Sequence, residues 1–336
     1  MEAIIKKGLN ELRTLYSKDE ENLEQEDLDK KYELCENAFT SFYNNHRSEF
    51  TQEDKEELAR IIYDNHIDSI NWAKINKGNK TKKVPPKGFY DACLFITKIL
   101  EQKDRSKRVY RCYYTKAVMD TLRYYNDLKV PEIVLELTDL LDPTLLSTYA
   151  ESYIHPNGGE PKYFNEKENW YSFRSNALLG LEEYEECIDL LTECINIIPP
   201  EKFSDKNRDS MIYRRGKAYL ALEDYNNALN DFIAFTENNI TWEVYYRIAH
   251  IYFIKDKIEE SLSYALSSAL IFGAIENKTN LYKLIVNILD LKGERELADK
   301  HCHLIWAIKK KRNNYISLEL EQRANKYILD EKVSYK

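Results

Sequence analysis

Residues 219–228 read Tyr219-Leu220-Ala221-Leu222-Glu223-Asp224-Tyr225-Asn226-Asn227-Ala228. An apolar-periodic segment ends here and another begins almost at once, with polar residues confined to the turn between them. Three other stretches can be laid on this one: 178–187 (LLGLEEYEEC), 252–261 (YFIKDKIEES) and 289–298 (LDLKGERELA). The small residue closing each copy is Cys187, Ala228, Ser261 or Ala298, at intervals of 41, 33 and 37 residues. The longest interval contains an insertion, Pro200 to Asp205, between two helices. The pattern has a packing rationale. A small residue opening the second helix lets it approach the first, a large residue three earlier fills the turn, and a small residue in the middle of the first helix (Ser175, Gly216, Ala249) admits the neighbouring backbone.

A helix–turn–helix repeat near 34 residues is the mark of the tetratricopeptide family. Residues 166–309 resemble that family, most closely in Gly216-Lys217-Ala218-Tyr219 with Tyr225, Ala228 and Phe232. The departures are Val286 in place of a small residue in the fourth copy, and a closing proline present only as Pro199. A narrower resemblance, carried by 168–187 and by 265–273 with 278–282, is to an uncharacterised bacterial family of tetratricopeptide proteins. The resemblance implies an all-α fold, a right-handed superhelix of helix–turn–helix repeats. It implies a bacterial scaffold that binds a partner segment in its concave groove, expected from the sequence to be non-enzymatic for want of a catalytic motif and cytoplasmic for want of a signal peptide.

Outward from the repeats, helices are expected at 6–16, 28–43, 51 to about 75, 87–102, 105–126 and 131–141. Thr51 with Asp54 forms a capping-box pattern, and Pro131 suits a first helical turn. The last two helices, ending at Pro143, read as a degenerate fifth repeat. The segment containing His155-Pro156-Asn157-Gly158-Gly159-Glu160-Pro161 reads as a long loop. The organisation expected is therefore a helical region at 1–145, a loop at 146–165, an array of about four repeats at 166–312 and a terminal helix at 313–336.

Composition agrees with an all-α chain. Its 336 residues include 9 Gly and 8 Pro, where average usage gives roughly 24 and 17. So few turn formers argue against a sandwich, a barrel or a doubly wound sheet. The apolar share is 43% and the net charge −8, with residues 1–60 carrying 16 acids against 9 bases. No run is apolar enough to span a bilayer, so no membrane partner is expected. The N-terminal stretch lacks the features of a signal peptide. The six cysteines are scattered and read as small buried hydrophobes.

Catalytic motifs are missing from the sequence: no G-x-S-x-G, no H-E-x-x-H, no phosphate loop and no dinucleotide fingerprint. His301-Cys302-His303 is the densest set of metal-ligand types, yet residues two apart on a helix point about 200° away from each other. Neither an enzymatic activity, a metal nor any other cofactor is expected.

Phasing the repeats on Gly216 selects the residues that line the groove, one after it and two and three before it. They are Asn176 with Ser172 and Phe173, Lys217 with Tyr213 and Arg214, His250 with Tyr246 and Arg247, and Asn287 with Lys283 and Leu284. The expected partner-binding set is Asn176, Tyr213, Arg214, Lys217, Tyr246, Arg247, His250, Lys283 and Asn287. Four cations in one cleft of a net-acidic chain call for an anionic ligand, a protein or peptide of acidic character. Half of the Lys/Asn set by which some tetratricopeptide proteins clamp a C-terminal carboxylate is present. The second reading is a nucleic-acid-associated accessory protein of a bacterial stress or defence system. It rests on basic stretches at 74–87 and 103–116, the latter interleaved with Tyr110, Tyr113 and Tyr114. The sequence leaves the oligomeric state open.

Overall fold

At the fifth residue of every copy the backbone enters the left-handed region: φ is 65° at Glu182, 60° at Glu223, 57° at Asp256 and 76° at Gly293. The following amide then bonds back to the carbonyl five residues earlier. The pairs are Glu183 to Leu178 (2.9 Å), Asp224 to Tyr219 (2.9 Å), Lys257 to Tyr252 (2.9 Å) and Glu294 to Leu289 (2.8 Å). This closure satisfies a carbonyl that the last helical turn leaves without a partner, and it aims the chain back along the helix it has just left. The same turn occurs at Lys129 (φ 58°), where Val130 bonds to Tyr125 at 3.1 Å, so the degenerate pair shares the device. It occurs again at Asn313 (φ 53°), with Asn314 bonded to Lys309 at 2.9 Å.

Five residues past each turn lies the small residue singled out by sequence. Cys187, Ala228, Ser261 and Ala298 are all fully buried. Two of them bond to the first helix twelve residues back. Ser261 Oγ donates to the Ala249 carbonyl at 2.8 Å, and Cys187 Sγ to the Ser175 carbonyl at 3.6 Å. A Cβ on Gly216 would stand 2.9 Å from the Phe232 ring.

This computed structural model describes residues 2–16, 25–68, 88–106, 112–149, 151–153, 162–198, 203 and 207–326. The chain divides into two units, residues 1–208 and 209–336.

Unit 1 begins with α1 (Glu2–Tyr16), α2 (Gln25–His46) and α3 (Gln52–Ile62). The capping box at α3 is formed, with Thr51 Oγ1 accepting from the Asp54 amide at 3.2 Å and Asp54 Oδ2 accepting from the Thr51 amide at 3.0 Å. The expected run to about residue 75 is interrupted. The chain widens into a π turn, Tyr63–Ile67, that carries Tyr63 and His66 into the core. Tyr63 donates to Asp120 at 2.5 Å, and the Tyr16 hydroxyl meets His66 Nδ1 at 2.6 Å. The basic stretch 74–87 lies outside the described residues.

Next come α4 (Phe89–Ile99), entered through Gly88 at φ 81°, and α5 (Tyr113–Leu128). The helix expected from residue 105 is corrected to this later start. Asp104 Oδ1 accepts from both the Ser106 amide and its hydroxyl, at 2.9 and 2.6 Å, a local turn that competes with helix. Pro131 opens α6 (Pro131–Asp139). The segment expected to be loop contains a short hairpin, β1 (Glu151–Tyr153) antiparallel to β2 (Lys162–Phe164), with Ser152 opposite Tyr163. Pairing lets the two short segments satisfy each other's backbone groups, which an open loop leaves to solvent; residues 154–161 between them lie outside the described residues. Two helices complete the unit, α7 (Glu166–Gly180) and α8 (Tyr184–Ile197). Trp170 Nε1 donates to the Thr138 carbonyl at 2.9 Å, holding α7 on α6.

Unit 2 consists of α9 (Asn207–Ala221), α10 (Tyr225–Thr236), α11 (Trp242–Ile254), α12 (Ile258–Leu270), α13 (Thr279–Leu291), α14 (Arg295–Lys311) and α15 (Leu318–Asn325). Phe232, Val244, Ile248 and Ile251 form one core, and Ala265, Leu281, Ile285, Ile288 and Ile305 the next, with Tyr264 packed against both. The repeats are also tied at the surface in register. Lys255 donates to Asn226, and one repeat on, at the matching positions, Lys292 pairs with Glu259. At the end of the unit α15 is pinned by Arg323, which reaches both Asp290 (2.8 Å) and Asp299 (2.6 Å). Of the terminal helix expected at 313–336, residues 318–325 are helical and 327–336 lie outside the described residues.

Glutamate in the left-handed region is strained by about 1 kcal/mol. Glu223→Gly therefore raises thermal stability by up to that amount, whereas Gly216→Val, driven into Phe232, lowers it by about 1–3 kcal/mol. Differential scanning calorimetry of the two variants checks both signs.

His66 yields a second test. Burial lowers its pKa from 6.5 to about 4. Between those values the unfolded chain takes up a proton that the folded chain refuses. Stability is therefore intact above pH 6.5 and falls by at most about 1.4 kcal/mol per pH unit toward pH 4. Urea unfolding across that window measures the slope, which His66→Phe removes.

Candidate partner-binding surface

The expected lining residues fall into both units. Asn176 belongs to unit 1, exposed on α7, where its side-chain amide lies 3.3 Å from Asn126 Oδ1 of α5. The other eight belong to unit 2: Tyr213, Arg214 and Lys217 on α9, Tyr246, Arg247 and His250 on α11, Lys283 and Asn287 on α13.

The first two of these groups meet. Arg247 Nε donates to the Tyr213 hydroxyl at 3.2 Å. Two cations approach the Tyr213 ring, the Lys217 ammonium 5.4 Å and the Arg247 guanidinium 6.0 Å from its centroid. The ring also packs on Phe235 and Phe232, with centroids 5.0 and 5.8 Å away. Tyr246 and His250, one helical turn apart, have centroids 6.0 Å apart. Burial, reinforced by the Arg247 charge, lowers the His250 pKa and favours the neutral ring. Lys283 and Asn287 are exposed at matching positions on the next first helix. Two neighbours expected on the lining are corrected. Phe173 and Leu284 are buried, because at those positions the helix face has already turned into the core.

Sequence phasing missed Arg215. It forks onto Asp231 of α10, with Nε and a terminal nitrogen 2.8 and 2.7 Å from the two carboxylate oxygens. The pair is largely shielded from water and clamps the two helices of one repeat. Asp231 in mid-helix, on the face that also buries Ala228, was the available signal.

The described part of the second basic stretch is engaged within unit 1. Lys103 pairs with Glu56 at 2.5 Å, Arg105 with Glu166 at 3.1 Å, and Lys116 lies 4.3 Å over the Tyr63 ring. Tyr113 packs on Tyr63 and Tyr114 donates to the Leu140 carbonyl, while Tyr110 lies outside the described residues. At His301-Cys302-His303 the three side chains diverge, His301 stacking on Tyr282, His303 on Trp306, and Cys302 buried between. All six cysteines are free and buried.

No family model and no curated protein matches the sequence. Solved structures do show a similar chain trace. PilF of Pseudomonas aeruginosa covers 81% of this chain and 99% of its own at TM-score 0.48 and 11% identity. MamA from Desulfovibrio magneticus covers 60% and 97%, at TM-score 0.46 and 13% identity. A Podospora anserina putative kinesin light chain with TPR-like repeats covers 61% and 99%, at 0.42 and 13%. At TM-scores below 0.5 these likenesses settle neither fold nor role. The recurring left-handed turn, the buried small residue five positions after it and the in-register ties between repeats belong to an array of helix–turn–helix pairs.

Proposed function

We propose that the protein is a non-enzymatic adaptor that binds a protein or peptide of acidic character across the first helices of its repeats. The observation that carries this reading is the Tyr213 ring approached by both Lys217 and Arg247, side chains from two successive repeats. Arg247 spends its hydrogen bond on a neutral hydroxyl, so its full charge stays available to a ligand. A guanidinium with its orientation set in advance loses little entropy on meeting a carboxylate. Exposed Lys283 and Asn287 continue the row in the next repeat. For the nucleic-acid reading, Lys103, Arg105 and Tyr114 of the 103–116 stretch are engaged by other groups of the chain, and residues 107–111 lie outside the described residues. Among the described residues no helix is long and apolar enough to cross a membrane, and we assign the adaptor to the bacterial cytoplasm.

The test is affinity capture from the native cell with wild type and with the Arg214→Glu/Arg247→Glu variant, with and without nuclease. The reading predicts nuclease-resistant partners that are lost from the variant while its helical circular dichroism is unchanged. Equal recovery by both proteins contradicts it.

A further inference from the structure

One end of unit 2 holds large apolar side chains in water on a backbone that is itself fastened down. Leu270, the last residue of α12, is 88% exposed, and Phe272 is 99% exposed. The ammonium of Lys278 donates to three carbonyls of this segment, those of Ser268 (3.4 Å), Ala269 (3.0 Å) and Ile271 (2.5 Å). Lys278 is itself 2% exposed, a costly place for a charge, and burial lowers its pKa. Gly273 lies so close to Trp242 that a Cβ would stand 2.7 Å from the indole. The fold thus invests a buried lysine and an obligatory glycine in a segment whose most apolar side chains touch almost nothing. Core packing gives no reason for that.

Beside this segment α14 ends in Lys309-Lys310-Lys311-Arg312. Lys311 pairs with Glu276 at 2.7 Å and Arg312 donates to Asn277 Oδ1 at 3.0 Å, which sets the basic run against the loop that follows Phe272. Lys311 is matched by that carboxylate. The other three take neutral partners: Lys309 the Tyr315 carbonyl (2.8 Å), Lys310 the Trp306 ring (4.5 Å), Arg312 the asparagine amide. Among the described residues Lys309 and Lys310 meet no carboxylate, and Arg312 shares the field of Glu276 with Lys311, so the run keeps a positive excess beside the loop that follows the two apolar tips. A helix C-terminus favours lysines by its dipole, but it gives no account of Leu270 and Phe272.

We propose that this end of unit 2 docks on the surface of an anionic lipid bilayer. Leu270 and Phe272 enter the boundary between headgroups and acyl chains, while Lys309, Lys310 and Arg312 face the lipid phosphates. Apolar tips, an interfacial indole and a basic rim are the combination such a surface selects. A side chain 99% exposed has no wall beside it to form a pocket with; a fluid surface supplies the wall, whereas a folded partner needs a groove to receive the tip. The expectation of no membrane partner rested on the lack of a spanning run, and surface docking requires none.

The full chain is tested by co-sedimentation with phosphatidylcholine vesicles containing or lacking phosphatidylserine, with Trp fluorescence as a second readout. Binding is expected to the anionic vesicles alone and to weaken with salt. Leu270→Ser/Phe272→Ser reduces it about tenfold or more. Lys309→Gln/Lys310→Gln/Arg312→Gln reduces it by roughly fivefold per charge. Arg214→Glu/Arg247→Glu leaves it unchanged, so this proposal and the adaptor reading fail separately. No sedimentation with either vesicle overturns the docking site, as does binding that both patch variants retain. A change in oligomeric state on Leu270→Ser/Phe272→Ser without any vesicle binding also overturns it, assigning the tips to a protein contact.

Discussion

The left-handed residue that ends each first helix, with the amide-to-carbonyl bond closing over it, is the constraint on which the array depends. The bond fixes where the second helix starts and therefore which of its faces meets the first. Cys187, Ala228, Ser261 and Ala298 then fall on the seam because they stand five residues past that point in every copy. Shifting the turn by one residue would rotate the second helix by about 100° and carry these small residues off the seam. The turn tolerates Lys, Glu, Asp, Asn and Gly at its left-handed position. Side-chain identity there is therefore loosely constrained, while its spacing to the seam is strict.

From that phase the charged surface follows. Residues three and four apart on each first helix recur on a single face, so Tyr213 and Lys217 of one repeat meet Arg247 of the next. A ring contacted by two cations is a means of presenting charge with little side-chain freedom. The opposite device appears at the end of unit 2. There a buried ammonium holds the backbone so that Leu270 and Phe272 project. One surface offers cations set on an aromatic ring, the other apolar tips rimmed by cations. They are separate enough in sequence and chemistry to serve different partners.

The repeat phase was legible in the sequence because it is written in local terms, a small residue at a fixed distance from a polar turn. Helix–turn–helix pairing and the burial of all six cysteines follow from the same information. Features that depend on distant residues were not legible. The π turn at Tyr63–Ile67 answers to Asp120 and Tyr16, 57 and 50 residues from the side chains they meet. The short hairpin needs two flanks that carry no strand pattern over three residues each. Phe173 and Leu284 were assigned to the surface by a rule counted from Gly216, yet both lie where the face bends inward. The Arg215 fork is set by Asp231, and sequence periodicity does not distinguish it from its neighbour Arg214.

Amide hydrogen exchange at the turns addresses the central claim most directly. If the closing bonds set the array, the amides of Glu183, Asp224, Lys257 and Glu294 are protected as strongly as those inside the helices they terminate, despite lying in surface turns. Exchange at open-loop rates at these four positions, with the helix interiors protected, would contradict the account.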